Sequence, residues 1–232
     1  SQFDELAALE KETGIIYASS PTQKVGGGIL PSLPKVIHSK PMLSAAKTKS
    51  TEDIDKFAGK GPGDCMVSWK LDGLTLVIRY ANGKLERIIT RGDGNIGEDV
   101  THNCASILGI PQYIPCTDDV EVRGECVVSW AGFDEVNKRV DEPYAHPRGL
   151  AAGSVRLLNQ RESAPRELQF VAFELVQPFL STVENSYAFL AEQGFSVVPH
   201  LLTKTPGQVI DDKLFDVKTF PLPADGLIVE YN

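Results

Sequence analysis

Val67-Ser68-Trp69-Lys70-Leu71-Asp72-Gly73, running directly into Leu74-Thr75-Leu76-Val77-Ile78-Arg79-Tyr80, decides how this chain folds. Apolar and β-branched residues dominate both halves, and Asp72-Gly73 supplies the turn between two strands. Lys70 therefore stands where one predicted strand ends, at a rigid edge facing whatever cleft the strands enclose. A lysine amine has a reference pKa near ~10.4, so attack at neutral pH requires cationic neighbours or desolvation that favour the free base. Arg91, Arg148 and Arg156 are the candidate cations downstream. Taken alone, Lys-x-Asp-Gly also reads as a surface lysine beside a hairpin turn.

Working outward, Leu74–Tyr80 and Lys84–Thr90 flank Asn82-Gly83, the dipeptide suited to the positive φ angles of a tight hairpin. The second strand runs back past the first, which delivers Arg91 beside the Lys70 edge. Gly92 to Thr101 follows, a loop rich in glycine and acid that either turns the chain or closes over a ligand. In Val120 to Val128 the side chains alternate, so Glu121, Arg123 and Glu125 share one face. That face is either solvated or the wall of a polar cleft, with Glu125 free to accept from a sugar hydroxyl. Ser129 caps a predicted helix whose buried stripe is Phe133, Val136 and Val140. His146 to Arg156 carries small residues that permit close backbone approach and two arginines, Arg148 and Arg156, suited to phosphate or to an ordinary surface.

The remaining elements alternate strand and helix. Leu168 to Val176 reads as a strand carrying Phe170 and Phe173, and Ser181-x-x-Glu184 as a capping box opening a helix that stops at Gly194. Phe195 to Leu202 is a further strand, and Asp225-Gly226 turns into the last one. Towards the start, Phe3, Leu6 and Leu9 mark a short helix, residues 19–28 a linker, and Thr51 to Ala58 a polar helix. The lone His38 reads as structural. The expected architecture is α+β, antiparallel sheets with flanking helices.

Composition narrows the functional classes. A 232-residue chain that is 42% hydrophobic has the material for one main domain. No apolar run approaches the roughly 20 residues of a membrane span, and the first residues have neither the basic flank nor the apolar block of a signal peptide. A cytoplasmic enzyme is expected. Cys65, Cys104, Cys116 and Cys126 are scattered, which indicates neither a zinc site nor a disulfide framework. The net charge of −8 argues against this segment alone wrapping a nucleic acid, since such binding relies on clustered Lys and Arg.

Five motifs occur in fixed order: Trp69-Lys70-Leu71-Asp72-Gly73; Thr90-Arg91-Gly92-Asp93-Gly94 with Gly97 to Thr101; Glu121-Val122-Arg123-Gly124-Glu125; Pro147-Arg148 with Ala151 to Ser154 and Arg156; and Asp225-Gly226. Together they resemble the nucleotidyltransferase (adenylation) domain of bacterial-type NAD-dependent DNA ligases over nearly the whole chain. Ser20 to Gly26 and Pro41-Met42-Leu43-Ser44 also match that family. The resemblance implies the nucleotidyltransferase fold common to DNA ligases and mRNA capping enzymes, with residues 41–232 as that domain and residues 1–40 as a remnant of a donor-binding module and linker. It implies NAD as the AMP donor, Lys70 as the nucleophile that carries AMP, and Mg2+ as a further cofactor. Asp72 and Asp225 would orient Lys70 or a hydrated magnesium ion, and no residue is assigned as a metal ligand. Arg91 and Glu125 would contact the ribose; Arg148 and Arg156 would serve phosphate, nicotinamide nucleotide or nicked DNA. Ser44, Ser68, Trp69 and Glu230 complete the implied nucleotide-binding set, and Phe173 either stacks on the purine or belongs to the core. The partner would be nicked double-stranded DNA, engaged through domains absent from this chain, and the protein a monomer.

Two positions depart from the family pattern. Ser68 stands where the family has Glu, and Glu230 where it has Lys, both at the adenine edge. Compensation across the site, altered base preference and an impaired first step all fit that exchange. The rivals to an NAD-dependent ligase are an NTP-using ligase or guanylyltransferase-like enzyme with altered base preference, and a non-catalytic module that binds nicked DNA or a nucleotide.

Overall fold

A computed structural model of the chain describes residues 33–157, 167–212 and 214–232, together with residues 9, 10, 12 and 13. The expected linker over 19–28 and most of the expected helix over 3–12 lie outside these, although residues 9, 10, 12 and 13 are helical. Three sheets carry the fold. β2 (Cys65–Leu71) is the middle strand of a three-stranded antiparallel sheet, between β10 (Ala224–Tyr231) and β9 (His200–Thr203). β3 (Leu74–Ala81) belongs to a different sheet of five strands, in the order β4 (Lys84–Thr90), β3, β7 (Val120–Val127), β8 (Leu168–Gln177) and β6 (Ile107–Leu108). β1 (Lys35–Ile37) pairs with β5 (Ile96–Glu98) as a small third sheet.

The two-residue link after Lys70 is therefore a junction between sheets and not a hairpin turn. A glycine is required there, because a Cβ on Gly73 would meet the Cys126 carbonyl oxygen at 2.1 Å. The Asn82-Gly83 hairpin forms as its sequence dictates, with φ of 51° and 72° at the two turn residues. Leu76, Ile78, Val122 and Phe170 bury one face of the five-stranded sheet in the main core, each no more than 1% exposed. The opposite face buries Val77 and Ile89 beneath Val36 and Met42.

Helices close the outside. α1 (Thr51–Ala58) is capped by Ser50, whose side chain accepts from the Asp53 N–H; α2 (Trp130–Asn137) is capped by Ser129, with Phe133 and Val136 buried as its stripe requires. Val140 lies beyond the end of α2 and packs from outside against the core. α3 (Pro147–Val155) starts with proline at its first position behind the His146 cap. α4 (Val183–Glu192) starts one residue later than the capping box suggests: Thr182, not Ser181, accepts from the Asn185 N–H, while the Glu184 N–H bonds the Asn232 side chain. α5 (Pro206–Asp211) follows β9. The strand expected over Phe195–Leu202 is interrupted. Val197 bridges Ala172, and regular pairing resumes only at His200, after Pro199, which has no N–H for a ladder.

The charged face of β7 is not solvated. Glu121 and Arg123 are each 6% exposed because residues 37–40 cross over them. Ser39 Oγ donates to Glu121 Oε1 at 2.6 Å, Arg79 Nε donates to Oε2 at 2.8 Å, and an Arg123 guanidinium N–H reaches the Lys40 carbonyl at 2.7 Å. Burying charges demands such pairing, and the segment before Pro41 supplies it.

Candidate active site

Lys70 is the penultimate residue of β2, and its Nζ donates to both Asp225 oxygens, at 2.6 and 2.7 Å. The bulge in β10 explains the alignment. Ala224 pairs with Leu71 and Gly226 with Lys70, so Asp225 is the extra residue, displaced from the ladder towards the amine. Both side chains are open to solvent, 41% and 44% exposed, and accessible to a ligand.

Asp72 faces the next element. Its Oδ1 accepts from Arg148 at 3.0 Å, and His146 Nδ1 lies 3.8 Å from Oδ2. His146 Nδ1 also accepts from the Arg148 N–H at 3.2 Å, so one cap fixes the start of α3 against the nucleophile strand. Arg156 at the other end of α3 bonds Glu98 at 2.8 Å, and Lys35 holds the second Glu98 oxygen at 2.8 Å. These two cations keep the Glu98 carboxyl below the usual carboxylate range.

Between the ends of β3 and β4 and the helix α3 lies a cleft of about 350 Å³ whose polar lining includes Thr75, Arg91, Glu125, Arg148 and Arg156. The Arg91 N–H bonds the Thr75 carbonyl at 3.0 Å, which puts Arg91 at the end of the hairpin beside Gly73. No described residue pairs with its guanidinium. Its carbonyl is held by His38 Nε2 at 3.0 Å; because a carbonyl only accepts, Nε2 carries the proton. His38 is 7% exposed, so the lone histidine is buried and holds the Arg91 turn.

Glu125 occupies the floor. The Gly73 N–H donates to Oε1 at 3.0 Å and the Thr75 hydroxyl to Oε2 at 2.9 Å. The carboxyl is thus not free, yet each oxygen retains a lone pair towards the cleft. Burial pushes its pKa up to about 7, although both hydrogen bonds and Arg148 oppose the rise.

The remaining expected positions fall in three places. Ser68 and Glu230 lie on the Lys70 face of the three-stranded sheet, since Ser68 is two residues from Lys70 and Glu230 pairs with Met66. Phe173 is the extra residue of a second bulge, between Glu174 opposite Arg123 and Ala172 opposite Gly124, and is half-buried against the core. Trp69 points away from Lys70: its ring stacks on Phe220 at 4.3 Å and meets Phe215 edge-on at 5.2 Å, leaving it 7% exposed. Strand alternation explains this, and the indole is not part of the cleft. Ser44 is exposed in a segment without regular structure, and no hydrogen bond from its side chain to a described residue ties it to the site. Among the described residues no three His, Cys, Asp or Glu side chains group as a metal cage.

Several neighbours of the site were not singled out in the sequence. Thr75, His146 and Glu98 act by holding Glu125, Asp72 and Arg156, while Tyr187 on α4 and Glu174 on β8 approach Glu230 from elsewhere in the chain. Thr75, Glu98 and His146 stood in stretches already marked by their pattern, but none of the three was singled out there.

Residues 30–232 match the family of NAD-dependent DNA ligase adenylation domains. The DNA ligase of Lachnoclostridium phytofermentans is 38% identical over 239 residues, covering 99% of this chain and 36% of that protein. The Mycoplasma genitalium DNA ligase is 38% identical over 246 residues, with 99% and 37% covered, and that of Ruminiclostridium cellulolyticum is 34% identical, with 99% and 36%. The chain spans just over a third of the length of these relatives. With a lysine at a sheet junction, an aspartate aimed at it and the matched motifs around the cleft, the chain belongs to the NAD-dependent DNA ligase adenylation-domain family.

Proposed function

We propose that this chain forms a lysyl-AMP intermediate from NAD as the first step of sealing nicked DNA. The observation that carries the reading is Lys70, displayed at the end of β2 and gripped by the bulged Asp225, beside a cleft lined by three arginines. Lys70 Nζ attacks the adenosine-side α-phosphorus of NAD. A P–N bond forms, the P–O bond to nicotinamide mononucleotide breaks, and its electron pair leaves on that nucleotide's phosphate oxygen. Asp225 lies within hydrogen-bond reach of Nζ before attack and is the nearest acceptor for the proton that nitrogen must lose.

Phosphoryl transfer depends on alignment and charge neutralisation more than on acid–base help. Arg91 and Glu125 take the ribose, and Arg148 and Arg156 take phosphate oxygens or the DNA backbone. To do so each must exchange its present carboxylate, Asp72 or Glu98, for phosphate. Magnesium keeps most of its waters and takes one or two carboxylates plus substrate phosphates, so Asp72 at the cleft edge suits it through water and no protein cage is required. It would neutralise charge on the α-phosphate. Passing AMP to a 5′-phosphate and closing the nick would need further domains, with residues 41–232 as the nucleotidyltransferase unit and residues 1–40 as donor-binding remnant and linker. Among the described residues no helix is long and apolar enough to cross a membrane; we place the reaction in the cytoplasm, with the protein as a monomer.

Intact mass spectrometry after incubation with NAD, ATP or GTP and magnesium tests this reading. NAD is expected to add one adenylyl group to the wild type and none to Lys70→Ala. A guanylyl adduct, or an adenylyl adduct that persists in Lys70→Ala, would overturn it.

A further inference from the structure

One half-buried acid lies on the nucleophile's side of β2 and β10, with no cation paired to it among the described residues. Glu230 pairs with Met66 across the ladder, four residues from Lys70, or roughly 13 Å along the strand. A nucleoside monophosphate spans that separation from its phosphorus to the edge of its purine. Among the described residues, a donor and an acid act on Glu230 directly. The Tyr187 hydroxyl donates to Glu230 Oε1 at 3.5 Å, Ser68 hydrogen-bonds Tyr187 in turn, and Tyr187 and Ser68 are each 3% exposed. The His200 ring lies 4.6 Å from the Tyr187 ring. Glu174 faces Glu230 from β8, and Arg123, the cation on that side, is spent on Glu174 at 3.2 Å.

We propose that Glu230 reads the purine of the nucleotide donor as a neutral carboxylic acid, accepting from the 6-amino group of adenine through one oxygen and donating to adenine N1 through the other. This rests on the reading of Lys70 as the adenylylated residue. The geometry favours it because Tyr187 engages one Glu230 oxygen and leaves the second open, and a neutral carboxyl offers one donor and one acceptor side by side. An ionised carboxylate offers acceptors alone. That set would suit the N1–H and N2–H groups of guanine and would leave adenine N1 facing a negative charge. Burial first, and Glu174 second, push the Glu230 pKa up to about 7, so the acid form is populated at neutral pH. With serine at 68 and an acid at 230, where the family pattern has glutamate and lysine, an adenine edge stays readable through a proton donor of a different kind.

Adenosine and guanosine are suitable probes because neither titrates between pH 6 and pH 8. Their dissociation constants for the chain are measured by chemical-shift titration across that range, for the wild type and Glu230→Gln. The side-chain amide keeps one donor and one acceptor without a titratable proton. Affinity should follow the neutral fraction of Glu230, so adenosine is expected to bind about tenfold more weakly at pH 8 than at pH 6. Guanosine is expected to change in the opposite direction. In Glu230→Gln the adenosine constant is expected to be flat with pH and at least as tight as the wild type at pH 8. A wild-type constant that does not move, or a slope that survives in Glu230→Gln and so belongs to another group, overturns the assignment. The Lys70 adduct with NAD is read separately by mass, so either conclusion can fail while the other stands.

Discussion

Replacing Glu125 by glutamine changes how stability depends on pH, and the change is calculable from the site. Glu125 is 9% exposed, and burial raises its pKa from 4.5 to about 7 against the pull of Gly73 and Thr75. A carboxyl whose folded pKa lies above its unfolded value binds a proton more tightly in the native state, so it stabilises least once both states are ionised. The cost therefore accumulates as pH rises from about 4.5 to about 7 and is complete above that. At about 1.36 kcal/mol for each pKa unit, it amounts to about 3 kcal/mol. Glutamine still accepts the Gly73 N–H through its oxygen, and the Thr75 hydroxyl can rotate to accept from the amide. Urea unfolding of the two proteins at pH 5, 6, 7 and 8 measures the difference. Glu125→Gln should exceed the wild type by less than about 1 kcal/mol at pH 5 and by up to about 3 kcal/mol at pH 8. A difference that stays constant with pH would refute burial of a titrating acid at this position.

Other substitutions separate chemistry from folding. Asp225→Asn should slow adduct formation by roughly 10- to 100-fold, since it removes the group that orients the amine and takes its proton; because the pair is exposed, stability should change by less than about 1 kcal/mol in urea. Gly73→Ala forces a Cβ against the Cys126 carbonyl and disturbs the N–H that serves Glu125, so urea unfolding should show a loss of about 2–4 kcal/mol. Glu98→Gln releases Lys35 and Arg156 together; the wild type should lose its advantage over this variant as pH falls through the depressed Glu98 pKa, which paired acid titrations of stability would reveal.

What the sequence disclosed was local. Asn82-Gly83 names its own turn, Ser129 its own cap, and the length of β4 puts Arg91 beside the turn after Lys70. Sheet membership was not legible, because β2 leaves β3 after two residues to pair with β9 and β10, more than 130 positions on. The same non-locality hid the two bulges. One residue added to β10 or β8 aims Asp225 or displaces Phe173, yet the β8 stretch reads as a regular strand, and Asp225-Gly226 reads as a turn before the last strand, whereas both residues lie within β10. Alternation alone would have turned Trp69 away from Lys70, and its Phe215 and Phe220 partners show where the indole goes instead. The charged face of β7 was ambiguous in sequence because its cover, residues 37–40, lies some eighty positions upstream. Glu230 had a recognisable position, but Tyr187 and Glu174, which set its chemistry, come from α4 and β8.

The central claim is that Lys70 Nζ is the atom that takes the adenylyl group. Proteolysis of the NAD-treated chain at mildly alkaline pH, followed by tandem mass spectrometry, locates the modification directly, since a P–N bond survives base and is cleaved by acid. The expected result is a single acid-labile adenylyl group on the peptide containing Val67 to Gly73, assigned to Lys70. An adenylyl group on any other residue, or one at Lys70 that resists acid, would contradict the account.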